Sequence, residues 1–272
     1  MSAQDFLSRI VEARRASVAR ASVARTIALM RESARAARAG AESHRLRKSL
    51  ERNAGFNVIA EIKRASPSKG LLRGEIDPAE LAQAYERGGA TAISVLTEEE
   101  FFRGSLADLR AVRASVSLPV LRKDFIVDEW QIFEAAEAGA DALLLIVAAL
   151  DADALARLLR VTEEELGMDA LVEVHTKDEL RRAQSCGAHI IGVNNRDLRT
   201  FEVSLETSVE LATLAAPGQL LVAESGLRTR DDLARLSACG FKGFLVGETL
   251  MRSDDPESAL RELTQARIKT AK

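Results

Sequence analysis

The sequence predicts an α/β fold of one kind, a single closed (β/α)8 TIM barrel preceded by an N-terminal helical extension. Three observations predict it. Eight short apolar runs, rich in β-branched residues, alternate with amphipathic patterns of helical period, as βαβ units and a parallel sheet require. Glycines punctuate the passage from helical pattern to apolar run. No Pro/Gly-rich linker divides the 272 residues, a length that exceeds one ordinary domain and suits one large barrel. A doubly wound sheet would carry a Gly-x-Gly-x-x-Gly turn after its first strand, and none is present.

Residues 1–55 form the predicted extension and 56–272 the barrel. Phe6, Ile10 and Ala13 recur at helical spacing in a stretch rich in Ala and Arg, both strong helix formers. The pentapeptide Ala16–Arg20 repeats as Ala21–Arg25, too short to be an architectural unit. The first strand falls in 58–63. Asp77-Pro78 then supplies a cap acceptor and a first-turn proline for a helix over Pro78–Arg87. Gly88-Gly89-Ala90 ends it before the run at 92–97. A helix over Leu106–Ala114 leads to 119–121, and one over Glu129–Ala138 ends at Gly139-Ala140-Asp141 before 142–148. The runs at 170–174 and 190–193 flank Gly187-Ala188-His189. The last two, 220–223 and 243–246, flank a helix over Asp231–Ala238 and Gly240-Phe241-Lys242.

Composition narrows the function classes. A chain this long can bury a core without disulfides or structural metal, and it holds only Cys186 and Cys239, which suits a reducing, cytoplasmic setting. The longest apolar run, Ala142 to Leu150, is too short to span a membrane. The net charge of −3 hides an asymmetry. Residues 1–52 carry eleven arginines and one lysine against five acids, a formal +7, which leaves −10 on the remaining 220. A targeting peptide would not scatter acids through such a stretch or lack an apolar region. A nucleic-acid arm would offer aromatic rings beyond Phe6 for stacking. The helical extension is the reading that remains, and the chain is expected to bind neither nucleic acid nor membrane. A basic arm over the barrel mouth would also favour entry of an anionic substrate into an acidic body.

Chemistry in such a barrel belongs at the carboxyl ends of the strands, and a period of two decides which residues point inward. Ile59, Glu61 and Lys63 share a face. Lys123 follows Leu121, Glu173 follows Leu171, Asn194 and Arg196 extend the sixth run, and Glu224 follows Val222. Charges inside a barrel are costly. Glu61 and Lys63 could be a structural ion pair, but convergence of two lysines, three glutamates and an amide on one mouth indicates a site. After the seventh and eighth runs come Glu224-Ser225-Gly226-Leu227 and Gly247-Glu248-Thr249-Leu250. Backbone N–H groups there bind phosphate in many barrels, although tight turns alone would explain the glycines. Phe101, Phe102 and Phe125 face either an aromatic substrate or the core. Trp130 reads as packing. His44, His175 and His189 show no paired metal spacing, so His175 reads as capping or packing, and neither metal nor cofactor is expected.

These residues resemble the indole-3-glycerol phosphate synthase family of tryptophan biosynthesis, from about residue 10 to the end. Glu61-Ile62-Lys63-Arg64-Ala65-Ser66-Pro67-Ser68-Lys69-Gly70 is similar to the family signature over ten consecutive positions. Ile93–Thr97, Phe101–Ser105, Leu121–Phe125, Leu171–His175, Gly192–Leu198, Ala223–Gly226 and Leu245–Gly247 support it. The resemblance implies a carboxy-lyase that converts 1-(2-carboxyphenylamino)-1-deoxyribulose 5-phosphate to indole-3-glycerol phosphate, CO2 and water as a monomer. It implies that Lys123 is the proton donor, a task for which a lysine near other cations can have its pKa lowered enough, and that Lys63 holds the substrate carboxylate. Glu61 and Glu173 would serve the dehydration and Asn194 would orient the substrate. Ser66, Ser225, Gly226, Gly247 and Glu248 would bind phosphate, Arg196 would order the site, and Phe125 and Glu224 would line it. Glu248 stands where many members have serine, and Trp130 where tyrosine is common. A Schiff-base aldolase acting on a keto-sugar phosphate through Lys63 or Lys123 is the alternative enzyme class.

Overall fold

Eight parallel strands, each buried on both faces by the alternation of inner core and outer helices, close into a barrel in the computed structural model, which describes residues 3–52, 55–197 and 200–264. They are β1 (Asn57–Ile62), β2 (Ala92–Leu96), β3 (Val120–Lys123), β4 (Ala142–Ile146), β5 (Asp169–Val174), β6 (Ile190–Asn194), β7 (Leu220–Glu224) and β8 (Gly243–Val246). Neighbours in sequence are neighbours in space, and β8 closes onto β1 with Asn57 opposite Gly243. Three helices precede the barrel: α1 (Ala3–Ala24), α2 (Ile27–Arg38) and α3 (Arg45–Glu51). The strands alternate with α4 (Pro78–Arg87), α5 (Leu106–Ser115), α6 (Glu129–Glu137), α7 (Ala152–Arg160), α8 (Lys177–Ser185), α9 (Glu206–Ala212) and α10 (Arg230–Ala238). A short α11 (Glu248–Met251) and α12 (Pro256–Thr264) follow β8.

The local signals act as the chemistry suggests. Asp77 Oδ1 accepts from the N–H groups of Ala79 and Glu80 at the start of α4, and Gly89, Gly139, Gly187 and Gly240 all take positive φ at helix ends, where glycine avoids the Cβ penalty. Cys186 and Cys239 are free, half-buried thiols in the C-caps of α8 and α10. Several features depart from the sequence reading. The third run extends to Lys123, and the fourth stops at Ile146, where residues 147–149 turn into a 3-10 helix. The loop after β1 folds a short antiparallel ladder, with Ala65 opposite Leu71 and Ser66 opposite Gly70. A π-helical turn, Val161–Glu165, extends α7.

Two cores result. The larger lies between the barrel and its helices. The smaller fills the barrel, where inward Ile59, Leu121, Leu171, Ile190, Val222 and Leu245 meet Leu46 and Leu50 of α3, which plug the floor. The extension is therefore part of the packing. Ile10, Met30 and Ala34 are buried, and the Trp130 indole donates to the carbonyl of Arg25 at 3.1 Å, so that ring anchors the corner after α1. The Phe6 side chain, Leu198 and residues 265–272 lie outside the described residues.

The basic charge of the extension is largely neutralised where it sits. Arg25 pairs with Glu137, Arg31 with Glu129 and Glu165, Arg35 with Glu165, Arg38 and Arg45 with Asp141, and Arg47 with Glu163 and Asp169. These acids belong to the barrel's own helices and strand beginnings, so the +7 and −10 meet along the flank and floor. These pairs leave less unpaired positive charge in the arm to attract an anion.

Candidate active site

All thirteen residues singled out for the site line one cavity of about 620 Å³ at the carboxyl ends of the strands, within the range of small-molecule pockets. Glu61 lies one residue before the end of β1, its carboxylate 2.5 Å from Lys63 Nζ. Lys123 ends β3 and donates to Glu173 Oε2 on β5 at 3.0 Å and to Glu224 Oε2 on β7 at 2.8 Å. Asn194 on β6 donates to the other oxygen of Glu173 at 3.2 Å and accepts from the Arg196 N–H at 3.0 Å. The strand register makes this possible: Glu173 lies opposite Gly192, and Asn194 opposite Glu224.

Two glycines make room for these carboxylates. A Cβ on Gly192 would fall well inside 3.0 Å of Glu224 Oε1, and one on Gly247 equally close to Glu61 Oε2. The sequence reading gave Gly247 to phosphate and passed over Gly192. Glycine in a strand is a signal of close approach, and Gly192 carried it.

The electrostatics reverse one expectation. Lys123 has carboxylates, not cations, around it. Burial pushes its ammonium pKa down, but Glu173, Glu224 and Glu61 together outweigh burial and hold it above the ordinary value. It is a firmly protonated lysine. Burial likewise raises Glu173, and Lys123, His175 and the Asn194 amide bring it below the ordinary range. Glu224 goes the other way. Burial and its neighbours Glu173 and Glu61 exceed the pull of Lys123, and its carboxyl is pushed up to about 7; its Oε1 is buried with no hydrogen-bond partner. The two carboxylates around one ammonium are thus shifted in opposite directions, a pattern typical of acid–base sites.

His175 is placed by Glu179, which accepts from its backbone N–H at 2.7 Å and faces Nδ1 at 3.3 Å, while Nε2 lies 3.4 Å from Glu173. Burial lowers the imidazole pKa, and Glu179 and Glu173 more than reverse this, holding it above its ordinary value. It supports Glu173 from behind, while the helix cap is Thr176. Among the described residues no group of three His, Cys, Asp or Glu side chains could hold a metal ion.

Loops after β7 and β8 contribute Ser225, Gly226, Gly247 and Glu248 to the cavity. Ser225 and Gly226 both take positive φ, which turns the backbone sharply there. The Glu248 side chain swings to Arg252, which donates to it at 3.2 Å, and its other oxygen is 4.0 Å from Arg196. Lys69, Arg228 and Arg252 also line the cavity and were missed; Arg252 could have been found as the helical i+4 partner of Glu248. Phe102 and Phe125 form part of the wall with ring centroids 6.1 Å apart, whereas Phe101 is not among the lining residues. The carboxylate of Glu98 accepts from the N–H groups of Glu100, Phe101 and Phe102, fixing the loop that presents Phe102. Leu7 of α1 completes the wall.

An eight-stranded barrel whose mouth gathers an ammonium and three carboxylates has the build of the (β/α)8 enzymes that act on small substrates. The model of the family described as indole-3-glycerol phosphate synthase matches residues 7–263. Proteins named indole-3-glycerol phosphate synthase are similar along nearly their whole length. That of Carboxydothermus hydrogenoformans is 48% identical over 95% of this chain and 99% of its own, and that of Mycolicibacterium gilvum 51% identical over 98% and 96%. The chain belongs to the indole-3-glycerol phosphate synthase family. Among solved structures, 3-hexulose-6-phosphate synthase superposes with a TM-score of 0.62 at 15% identity, covering 76% of this chain and 98% of that one. A thiamine phosphate pyrophosphorylase from Pyrococcus furiosus gives 0.59 at 18%, covering 80% and 95%. These two share the barrel fold.

Proposed function

We propose that the cavity takes 1-(2-carboxyphenylamino)-1-deoxyribulose 5-phosphate and releases indole-3-glycerol phosphate, CO2 and water. The observation that carries this reading is the Lys123 ammonium held between Glu173 and Glu224 at 3.0 and 2.8 Å. Ring closure begins when the aryl carbon bearing the carboxylate attacks the ketone. The carbonyl π pair becomes an alkoxide, and Lys123 gives it a proton. An ammonium of raised pKa parts with its proton only to so strong a base, and it stays oriented until attack occurs. The C–CO2 bond then breaks, its electrons restore the aromatic ring, and CO2 leaves. In the dehydration the new hydroxyl departs with a proton from an acid while a base removes a proton to form the indole double bond. Glu61 and Glu173 supply that pair, with Lys63 first binding the carboxylate and then joining Glu61 in proton transfer.

Asn194 orients the anilino or hydroxyl groups, Arg196 orders the site, and Phe125 stacks beside the aromatic ring. Ser66, Ser225, Gly226, Gly247 and the backbone of Glu248 take the phosphate. Lysine as a Schiff-base nucleophile needs a neutral amine, the form that three carboxylates disfavour at Lys123. Residues 1–55 serve as an arm to a catalytic barrel over 56–272, in a cytoplasmic monomer that needs no metal or cofactor.

The test is incubation with the anilino-ribulose phosphate, without added metal or nucleotide, while indole fluorescence is followed. Wild-type protein produces the signal and Lys123→Met does not. A silent wild type refutes the substrate, and near-normal turnover in Lys123→Met refutes the acid. Borohydride with a keto-sugar phosphate should leave no adduct, and size-exclusion chromatography reads the oligomeric state.

A further inference from the structure

Asp124, next in the chain to Lys123, has a fully buried side chain that gathers three parts of the molecule. From α1, Arg14 Nε donates to Oδ1 at 2.9 Å, and Nη2 lies 2.6 Å from Oδ1 and 2.5 Å from Oδ2. From β3, Arg122 Nη2 donates to Oδ2 at 3.1 Å. Just beyond β2, the Thr97 hydroxyl donates to the same oxygen at 2.5 Å, and the N–H of Phe125 donates to Oδ1 at 2.8 Å. Arg14 Nη2 also reaches the Thr97 carbonyl at 3.3 Å. Arg122 continues the network to Glu134 and the Gln131 carbonyl of α6, and the Gln131 amide in turn donates to the Phe125 carbonyl. Most other arm arginines meet barrel acids on exposed or half-exposed ground, as Arg25 does at Glu137. Arg14 enters at the strand ends, two turns along α1 from Leu7, which lines the cavity.

We propose that Arg14 is a positioning residue for the reaction: by fastening Asp124 it fixes the end of β3, and with it Lys123 and the ring of Phe125, so that the site is assembled only when α1 is docked. Both neighbours of Asp124 line the cavity, and neither can shift while its carboxylate holds Arg14, Arg122, Thr97 and the Phe125 N–H. A planar guanidinium reaches both carboxylate oxygens from two nitrogens while keeping a donor for the Thr97 carbonyl; an ammonium offers its three donors from a single point. Burial raises the Asp124 carboxyl, and Arg122 and Arg14 more than reverse this, so the hub stays ionised. The proposal rests on the reading of Lys123 as the acid.

The experiment compares Arg14→Gln with Arg25→Gln, which breaks a pair at the corner just past α1, outside the cavity lining. Trp130 is the only tryptophan, and its indole bonds the end of α1, so its emission reports arm docking in the absence of substrate. Arg14→Gln should lower kcat by about 10²-fold with Trp130 emission unshifted, while Arg25→Gln keeps wild-type kcat. Wild-type kcat in Arg14→Gln overturns the proposal, and so does an equal loss in both variants, which would make the arm a general clamp. Should Arg14→Gln shift the emission, Arg14→Lys decides: reduced kcat with unshifted emission upholds the proposal, and wild-type kcat overturns it. Lys123→Met, assayed in parallel, separates the two readings. Surviving turnover there removes the acid assignment, whereas the Arg14 effect is read from kcat directly.

Discussion

Replacing Gly192 by alanine puts a single methyl group against the most crowded carboxylate of the site. The added carbon would lie well inside 3.0 Å of Glu224 Oε1 and 3.2 Å from Leu171 Cδ1, so Glu224 has to withdraw by roughly an ångström to regain van der Waals contact. Its Lys123 partner is 2.8 Å away, and such a movement takes the pair out of hydrogen-bond reach. Overpacking a buried site costs about 1–3 kcal/mol, and breaking a buried ion pair outright costs about 3–5 kcal/mol. Since Glu173 still holds Lys123, a net loss of about 3 kcal/mol is expected, or roughly 6–12 °C in Tm for a chain of this size. Displacement of this order next to the acid lowers kcat by about 10²-fold. Thermal melts and indole fluorescence measure both quantities. In a Glu224→Ala background the same methyl group meets no carboxylate, and its cost should fall to that of the Leu171 contact, a coupling that a double-mutant cycle isolates. Gly192→Ala with wild-type Tm and kcat, or an equal cost in both backgrounds, would refute the argument from clearance.

Other consequences follow from the same charges. Folding raises the Glu224 carboxyl to about 7, so its protonated form contributes stability that is present below its unfolded pKa and lost as pH rises through about 7. Wild-type stability should therefore decline relative to Glu224→Gln in urea melts between pH of about 5 and 8; a constant difference would contradict the raised pKa. Lys123→Met strands Glu173 and Glu224 without their cation, so besides losing turnover it should melt lower at alkaline than at mildly acidic pH, and a pH-independent loss would show that neither acid ionises there. Arg35 pairs with Glu165 on the flank, so Arg35→Gln should leave KM unchanged at low and high salt. A rise in KM confined to low salt would restore steering by the arm.

The site holds more negative charge than its one central ammonium can neutralise. Glu61 has Lys63, Glu173 has Lys123, His175 and Asn194, and Glu224 is left with half a share of Lys123 and one bare oxygen. A partly neutral Glu224 is the cheapest relief for that crowding, and it leaves the ammonium oriented. The barrel supports the arrangement by burial, since Glu61, Glu173 and Glu224 are 2–3% exposed. Leu7 of α1, Phe102 and Phe125 line the same cavity and give it apolar wall.

Local order carried the barrel and the identity of its inward residues. Strand period two places Glu61, Lys123, Glu173, Asn194 and Glu224 on one surface whatever the tertiary detail, and glycine after a helical pattern ends the helix through its own φ. Both are effects of chain geometry over a few residues, and so the sequence alone determined them, along with the family signature at Glu61–Gly70. Which charge faces which is a matter of contact between strands and helices far apart in the chain, and only the tertiary structure decided it. Lys123 was expected among cations, and the register of β5 and β7 sets it between carboxylates, which reverses the direction of its pKa. The +7 of the extension was legible, but its partners on the flank and floor were not. Nor was the pairing of Arg14 with Asp124, 110 residues away. Gly192, passed over as a site residue, matters because the Glu224 side chain occupies the space its missing Cβ leaves. A pKa and a clearance are sums over neighbours, and the neighbours exist only once the barrel has closed.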